Sequence, residues 1–218
     1  MKKEIRFLIQ CYFGDIEDPY FAAIDKAYYD MQTHTVSAEK KQIFEMRFKE
    51  SEYLYERLTN IQKEDDYDAW HEGTAHEMKK ISKPVELSYG QIQKWINMSV
   101  KYLYTFKSLG VEGVDEYFIK HKSEFHAPLD SYVLEHLNKS DKWSQIPSYE
   151  WYKEISEEIS FEEEYRDWPD YARDARIKRD GYEKPADPNS FKRYIQDNYS
   201  NNEKAYCGKI RWQTKKKN

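Results

Sequence analysis

Two stretches of the chain place groups capable of chemistry at successive helix starts. The first runs Leu87-Ser88-Tyr89-Gly90-Gln91-Ile92-Gln93-Lys94-Trp95, and the second, His126-Ala127-Pro128-Leu129-Asp130, ends on a carboxylate. A lysine whose pKa is lowered by burial or a neighbouring charge is an amine nucleophile, and a carboxylate or imidazole beside it can move protons. Lys94, Asp130 and His126 are therefore the candidate catalytic groups, with proton transfer or amine attack on a sugar carbon as the chemistry they could perform.

The elements that must position them are helices. Ser88 and Gln91 have capping-box spacing, which predicts a helix beginning near Tyr89. At about 100° per residue, Ile92, Trp95, Ile96, Val100, Leu103 and Phe106 share one side, while Gln93, Lys94, Asn97, Lys101 and Thr105 share the other. That second stripe holds two lysines and no carboxylate, so it reads either as an ordinary solvated face or as a surface facing an anion. Trp95 is expected to pack inward, with Gln93, Asn97 and Lys101 on the open side of a cleft. Pro128 and Asp130 mark the next helix start, and Asp130 as a plain N-cap is the alternative to a catalytic role.

Seven glycines and seven prolines in 218 residues, with apolar residues recurring at three- and four-residue intervals, point to an all-α, single compact multi-helix domain. Its expected span is 1–204, followed by a basic tail over 205–218. Pro19 opens a helical stretch with Phe21, Ile24 and Tyr28 on one side, and after a polar break at 33–37 a longer helix carries Phe44, Phe48, Tyr55 and Leu58. Further helices are predicted over 67–81, 114–120 and 190–199. Twenty tyrosines, ten phenylalanines and six tryptophans supply most of the apolar material, and a mean hydropathy of -1.05 implies many half-buried tyrosines.

No apolar run approaches the roughly 20 residues of a membrane span, and the first ten residues turn polar too quickly for a signal peptide, so a cytoplasmic location is expected. Cys11 and Cys207 are isolated, which argues against a cysteine-held metal or cluster. His71 and His76 are five residues apart rather than four and make a poor helical zinc pair, whereas Glu72 and His76 suit a surface pair. Phosphate-loop, dinucleotide and serine-elbow motifs are missing, and no cofactor is expected. The net charge of -5 argues against indiscriminate coating of nucleic acid, yet Lys209, Arg211 and Lys215 in the tail are candidates for phosphate contact. Residues 150–167 hold eight carboxylates and read as a solvated face or as a surface for a basic protein partner.

Gly90, Lys94 and Asp130, taken in order, resemble the catalytic segment of helix-hairpin-helix DNA glycosylases over about 86–138. The resemblance implies phosphates held at Gly90 with Gln93, Asn97 and Lys101 alongside, Lys94 as nucleophile on the sugar of an extruded, damaged or unstacked nucleotide, and Asp130 as its partner. Ile92 stands where a second hairpin glycine is expected, the Lys94–Asp130 spacing is longer than that pattern, and no cluster cysteines follow. With Trp70-His71 and Lys142-Trp143-Ser144 added, the wording also resembles a group of small uncharacterised bacterial proteins. A non-enzymatic protein-interaction module and an enzyme for a small anionic metabolite are the alternative functions.

Overall fold

The structure, a computed structural model, describes residues 1–31 and 38–180. The predicted break at 33–37, the helix over 190–199, Cys207, and Lys209, Arg211 and Lys215 of the tail lie outside the described residues. Met1–Ala175 form one compact unit, and of the unit that begins at Arg176 only the helical stretch to Asp180 is described. Among the described residues there are nine α-helices and no strand: α1 (Lys3–Phe13), α2 (Pro19–Asp30), α3 (Lys40–Thr59), α4 (Tyr67–Ile81), α5 (Tyr89–Ser108), α6 (Tyr117–Lys120), α7 (Ser131–His136), α8 (Tyr149–Ser156) and α9 (Phe161–Asp180). None is long and apolar enough to cross a membrane.

Helix α5 is the axis of the fold, touching α2, α4, α6, α8 and a 3₁₀ turn at Trp143–Gln145. It starts where its capping box requires: Ser88 accepts from the Gln91 N–H at 3.1 Å, and the Gln91 side chain accepts from the Ser88 N–H at 3.0 Å. Ala23 and Ala27 on α2 are fully buried, and such small side chains let α2 come close to α5. Trp95 fills the space between them and donates its indole N–H to the Ile24 carbonyl at 3.0 Å. Each wholly buried Leu, Ile or Phe on α5 contributes on the order of 1.5–3 kcal/mol of apolar transfer.

Expectations about three helix faces are corrected. On α3 the buried positions are Met46, Glu50, Leu54 and Leu58, at strict four-residue spacing, whereas Phe44 and Phe48 are 69% and 65% exposed. Phe21 is likewise exposed, although Ile24 and Tyr28 are buried as expected. On α5 the first part of the polar stripe is interior: Gln93, Lys94 and Asn97 are buried together with the apolar side, whereas Lys101 and Thr105 are half-buried. A helix enclosed by neighbours on every side can carry such amides only if each polar atom finds a partner inside.

Candidate functional site

The buried polar atoms of α5 are satisfied by one connected network. The Asn97 amide N–H groups are shared among Gln93 Oε1 at 3.1 Å, the Ala127 carbonyl at 3.2 Å and Tyr152 Oη at 2.9 Å. Because a carbonyl can only accept, the Ala127 contact orients the amide. Asn97 Oδ1 then accepts from His71 Nε2–H at 2.9 Å, which leaves His71 Nδ1 to accept the Tyr149 hydroxyl at 2.8 Å. Gln93 donates to the Gly90 and Leu129 carbonyls and accepts from the Leu129 N–H, tying the strand-like approach to α7 onto α5. Gln93 and Asn97 thus hold the interior together rather than lining an open face.

His126 belongs to this network and not to the neighbourhood of Lys94. Tyr152, already accepting from Asn97, donates its O–H to His126 Nδ1 at 2.8 Å, so His126 carries its proton on Nε2 and donates it to Asp68 Oδ1 at 2.5 Å. Lys153 shares the same Asp68 oxygen at 2.8 Å. Burial pushes the pKa of His71 well below the ordinary histidine value and that of His126 down, the latter against the opposing pull of Asp68; these shifts favour the neutral form of both rings. Both ring nitrogens of His126 are engaged, which removes it as a free base. It lines a polar cavity of about 600 Å³ with Asp68 and Lys153, apart from the one that holds Lys94 and Asp130.

Lys94 and Asp130 do share a cavity, of about 480 Å³. Its walls are unusually aromatic: Tyr12 from α1, Tyr29 from α2, Tyr102 from α5, Tyr132 from α7, Trp168 from α9, and Trp143 from the 3₁₀ turn. Lys94 is 8% exposed, and among the described residues its Nζ has no hydrogen-bond or ion-pair partner, resting instead 4.4 Å from the centre of the Trp143 ring. Gly90 makes this contact feasible. It lies buried against the turn, and a Cβ there would sit 1.6 Å from the Trp143 carbonyl oxygen. One helical turn before Lys94, its bare backbone admits the turn that carries the indole, so its place is under protein and not on a phosphate-holding hairpin.

The remaining charges of the cavity are already matched. Asp130 caps α7 through the Tyr132 and Val133 N–H groups at 2.9 and 3.0 Å, and its other oxygen accepts from the Trp168 indole at 3.0 Å. The plain N-cap reading therefore holds, with the carboxylate also facing the cavity. Lys101 is bound to both Glu164 oxygens at 2.7 Å, and Glu164 is 1% exposed. Lys101 is thus not a free cation, and the acidic 150–167 segment is no continuous outer face, because Glu164 points inward. Tyr102 donates to Asp30, which also meets Lys26 at 3.3 Å.

Burial is the main influence on Lys94 and pushes its pKa below that of an ordinary lysine; Asp130, Asp30 and Glu164 oppose the shift, and Lys101 adds to it. An amine of this kind is deprotonated more readily than a surface lysine, and it borders space that a small molecule can occupy. No group of three or more His, Cys, Asp or Glu side chains among the described residues is arranged to hold a metal ion. His76 instead pairs with Glu72 at 3.5 Å. Comparison with family models, with curated proteins and with solved structures returns no match. The glycosylase resemblance therefore rests on the sequence alone.

Sequence reasoning missed the aromatic half of this site. Trp143 and Trp168 come from segments with no chemical motif. The one available signal was Gly90, a glycine in the first turn of a capped helix, where a close backbone approach is a ready explanation. Glu50 was missed as well. It is wholly buried on α3 with neither oxygen partnered, and burial, reinforced by Glu77, pushes its carboxyl up to about 9.

Proposed function

We propose that the chain is an enzyme whose Lys94 acts as a free amine on a carbonyl carbon, forming a Schiff base in the cavity beside Asp130. The observation that carries this reading is the Lys94 amine, enclosed and without an ion-pair partner among the described residues, at the wall of a space large enough for a ligand. A buried lysine kept only for stability would be expected to have a carboxylate against it, as Lys101 has Glu164. Asp130 supplies a fixed negative charge that favours a positively charged imine once it has formed. The sugar aldehyde of abasic DNA is the carbonyl that the glycosylase resemblance implies, and it is one member of this substrate class.

Borohydride reduces an imine to a stable secondary amine, so it traps the intermediate. Incubation with abasic duplex and with small aldehydes, followed by reduction and peptide mapping, should place an adduct on Lys94. The adduct at that position should vanish in Lys94→Met, with folding checked by circular dichroism. Labelling confined to exposed lysines in the native protein would refute the reading without recourse to any variant.

A further inference from the structure

Resting on the Lys94 reading, we propose that the carbonyl partner of Lys94 is a planar-ring aldehyde, uncharged or cationic, that carries no phosphate. Shape argues for the ring. Five of the six helices or turns that wall the cavity bring one aromatic side chain each from outside α5, and Tyr132 and Trp168 stand edge-to-face with centres 5.7 Å apart. Flat aromatic surfaces bind flat ligands by offset or edge contact, at about 0.5–1.5 kcal/mol per pair beyond area burial. The Trp143 ring beside Lys94 Nζ offers a face for a ring attached to the condensing carbon.

Charge argues against phosphate. To attack, Lys94 must be the neutral amine, and the charged groups then left on the lining are Lys101 against Asp30 and Asp130. Lys101 is already held by both oxygens of Glu164. With Asp30 offset by Lys26 at 3.3 Å, a phosphate dianion would still meet the Asp130 carboxylate, which no cation pairs among the described residues, and would find no unmatched cation; such like-charge juxtaposition excludes ligands as contacts select them. A neutral or cationic ring meets no such barrier, and aromatic walls attract cations.

The step balances without a further reactant. The Lys94 nitrogen lone pair forms the C–N bond while the carbonyl π pair moves to oxygen; both amine protons leave with that oxygen as water, giving the imine.

The test uses the intact chain, borohydride, and four probes: 5-deoxypyridoxal, pyridoxal phosphate, propanal and abasic duplex. The first two share ring and aldehyde and differ in the phosphate, while propanal lacks the ring. Adduct at the Lys94 peptide is scored relative to that at the exposed Lys83 in the same sample, which cancels intrinsic aldehyde reactivity. The expected result is a normalised preference of at least about tenfold for 5-deoxypyridoxal over each other probe, equivalent to about 1.4 kcal/mol. Asp130→Asn, which keeps an N-cap residue, should raise labelling by pyridoxal phosphate several-fold. Equal or better labelling by propanal, pyridoxal phosphate or abasic DNA, or no response to Asp130→Asn, overturns the inference while leaving Lys94 as nucleophile. Absence of adduct at Lys94 with every probe removes the nucleophile itself.

Discussion

Gly90→Ala sets two opposed effects against each other. Alanine is the better helix former by at most about 1 kcal/mol, which would make the change stabilising if nothing else were near. The added Cβ, however, would lie 1.6 Å from the Trp143 carbonyl oxygen, 2.8 Å from its carbon and 3.3 Å from Ile146 Cβ. The first two are backbone atoms, so no rotamer change relieves them, and the turn must withdraw by about 1.5 Å, an overpacking of the sort that costs roughly 1–3 kcal/mol or more. Withdrawal also stretches the bond from Ser88 Oγ to the Ser144 carbonyl, now 2.8 Å, whose loss adds about 1 kcal/mol. The net expectation is a loss of about 2 kcal/mol, read as a fall in Tm of roughly 4–8 °C for a chain of this size. Because the same turn carries the indole, the Lys94 environment should change too, and the pH at which borohydride trapping reaches half its maximum should move. Denaturant unfolding and trapping profiles of the two proteins test both parts. A Gly90→Ala protein as stable as the parent, with an unshifted profile, would show that the turn does not rest on Gly90 and would undo the argument that links it to Lys94.

Other expectations concern the interior. Asn97→Leu removes the hub joining His71, Gln93 and Tyr152 and leaves their buried groups unpaired, which should cost roughly 3 kcal/mol in urea unfolding. Glu50, at about 9 when folded against 4.5 ordinarily, binds its proton more tightly in the fold, so its contribution is intact below about pH 4.5 and is lost by about 1.4 kcal/mol per unit as pH rises toward 9. Glu50→Met should abolish that limb and raise stability at pH 8 by roughly 2 kcal/mol, checked by melts across pH 5–9. His71 and His126 have folded pKa values below the ordinary 6.5, so their contribution is present above pH 6.5 and falls as the unfolded chain takes up protons below it. In the Glu50→Met background, stability should therefore drop below pH 6.5, and more gently once His126 is replaced by Gln.

Helix boundaries were legible where the chain carries explicit stop and start chemistry. Asp66 caps α4, Ser88 and Gln91 cap α5, and Asp130 caps α7, each through bonds only a few residues long. Faces were less legible. Periodicity reports which residues lie together, not which group of them meets the core, and on α3 the aromatic Phe44 and Phe48 outweighed the buried row that contains Glu50. On α5 the assumption that polar means exposed failed, because the partners of Gln93 and Asn97 lie on loops and helices distant in sequence, at Leu129, Ala127, His71 and Tyr152. The same non-locality separated His126 from Lys94: a short distance along the chain says little about which cavity a side chain enters. Lys94 and Asp130 share a wall because Gln93 clamps Leu129, immediately before Asp130, against the helix that bears Lys94.

That clamp has a consequence for motion. Gln93, Lys94 and Asn97 belong to one stretch of α5, and two of the three are bonded inside the protein on several sides, so this segment should be among the last to open in the native ensemble. The lining also includes Tyr12 on α1, a helix whose residues are nearly all exposed and of which only Ile9 is buried. Adjustment to an incoming molecule therefore falls to the α1 side, while the amine stays where the interior holds it. The cavity behaves as a vice with one fixed jaw.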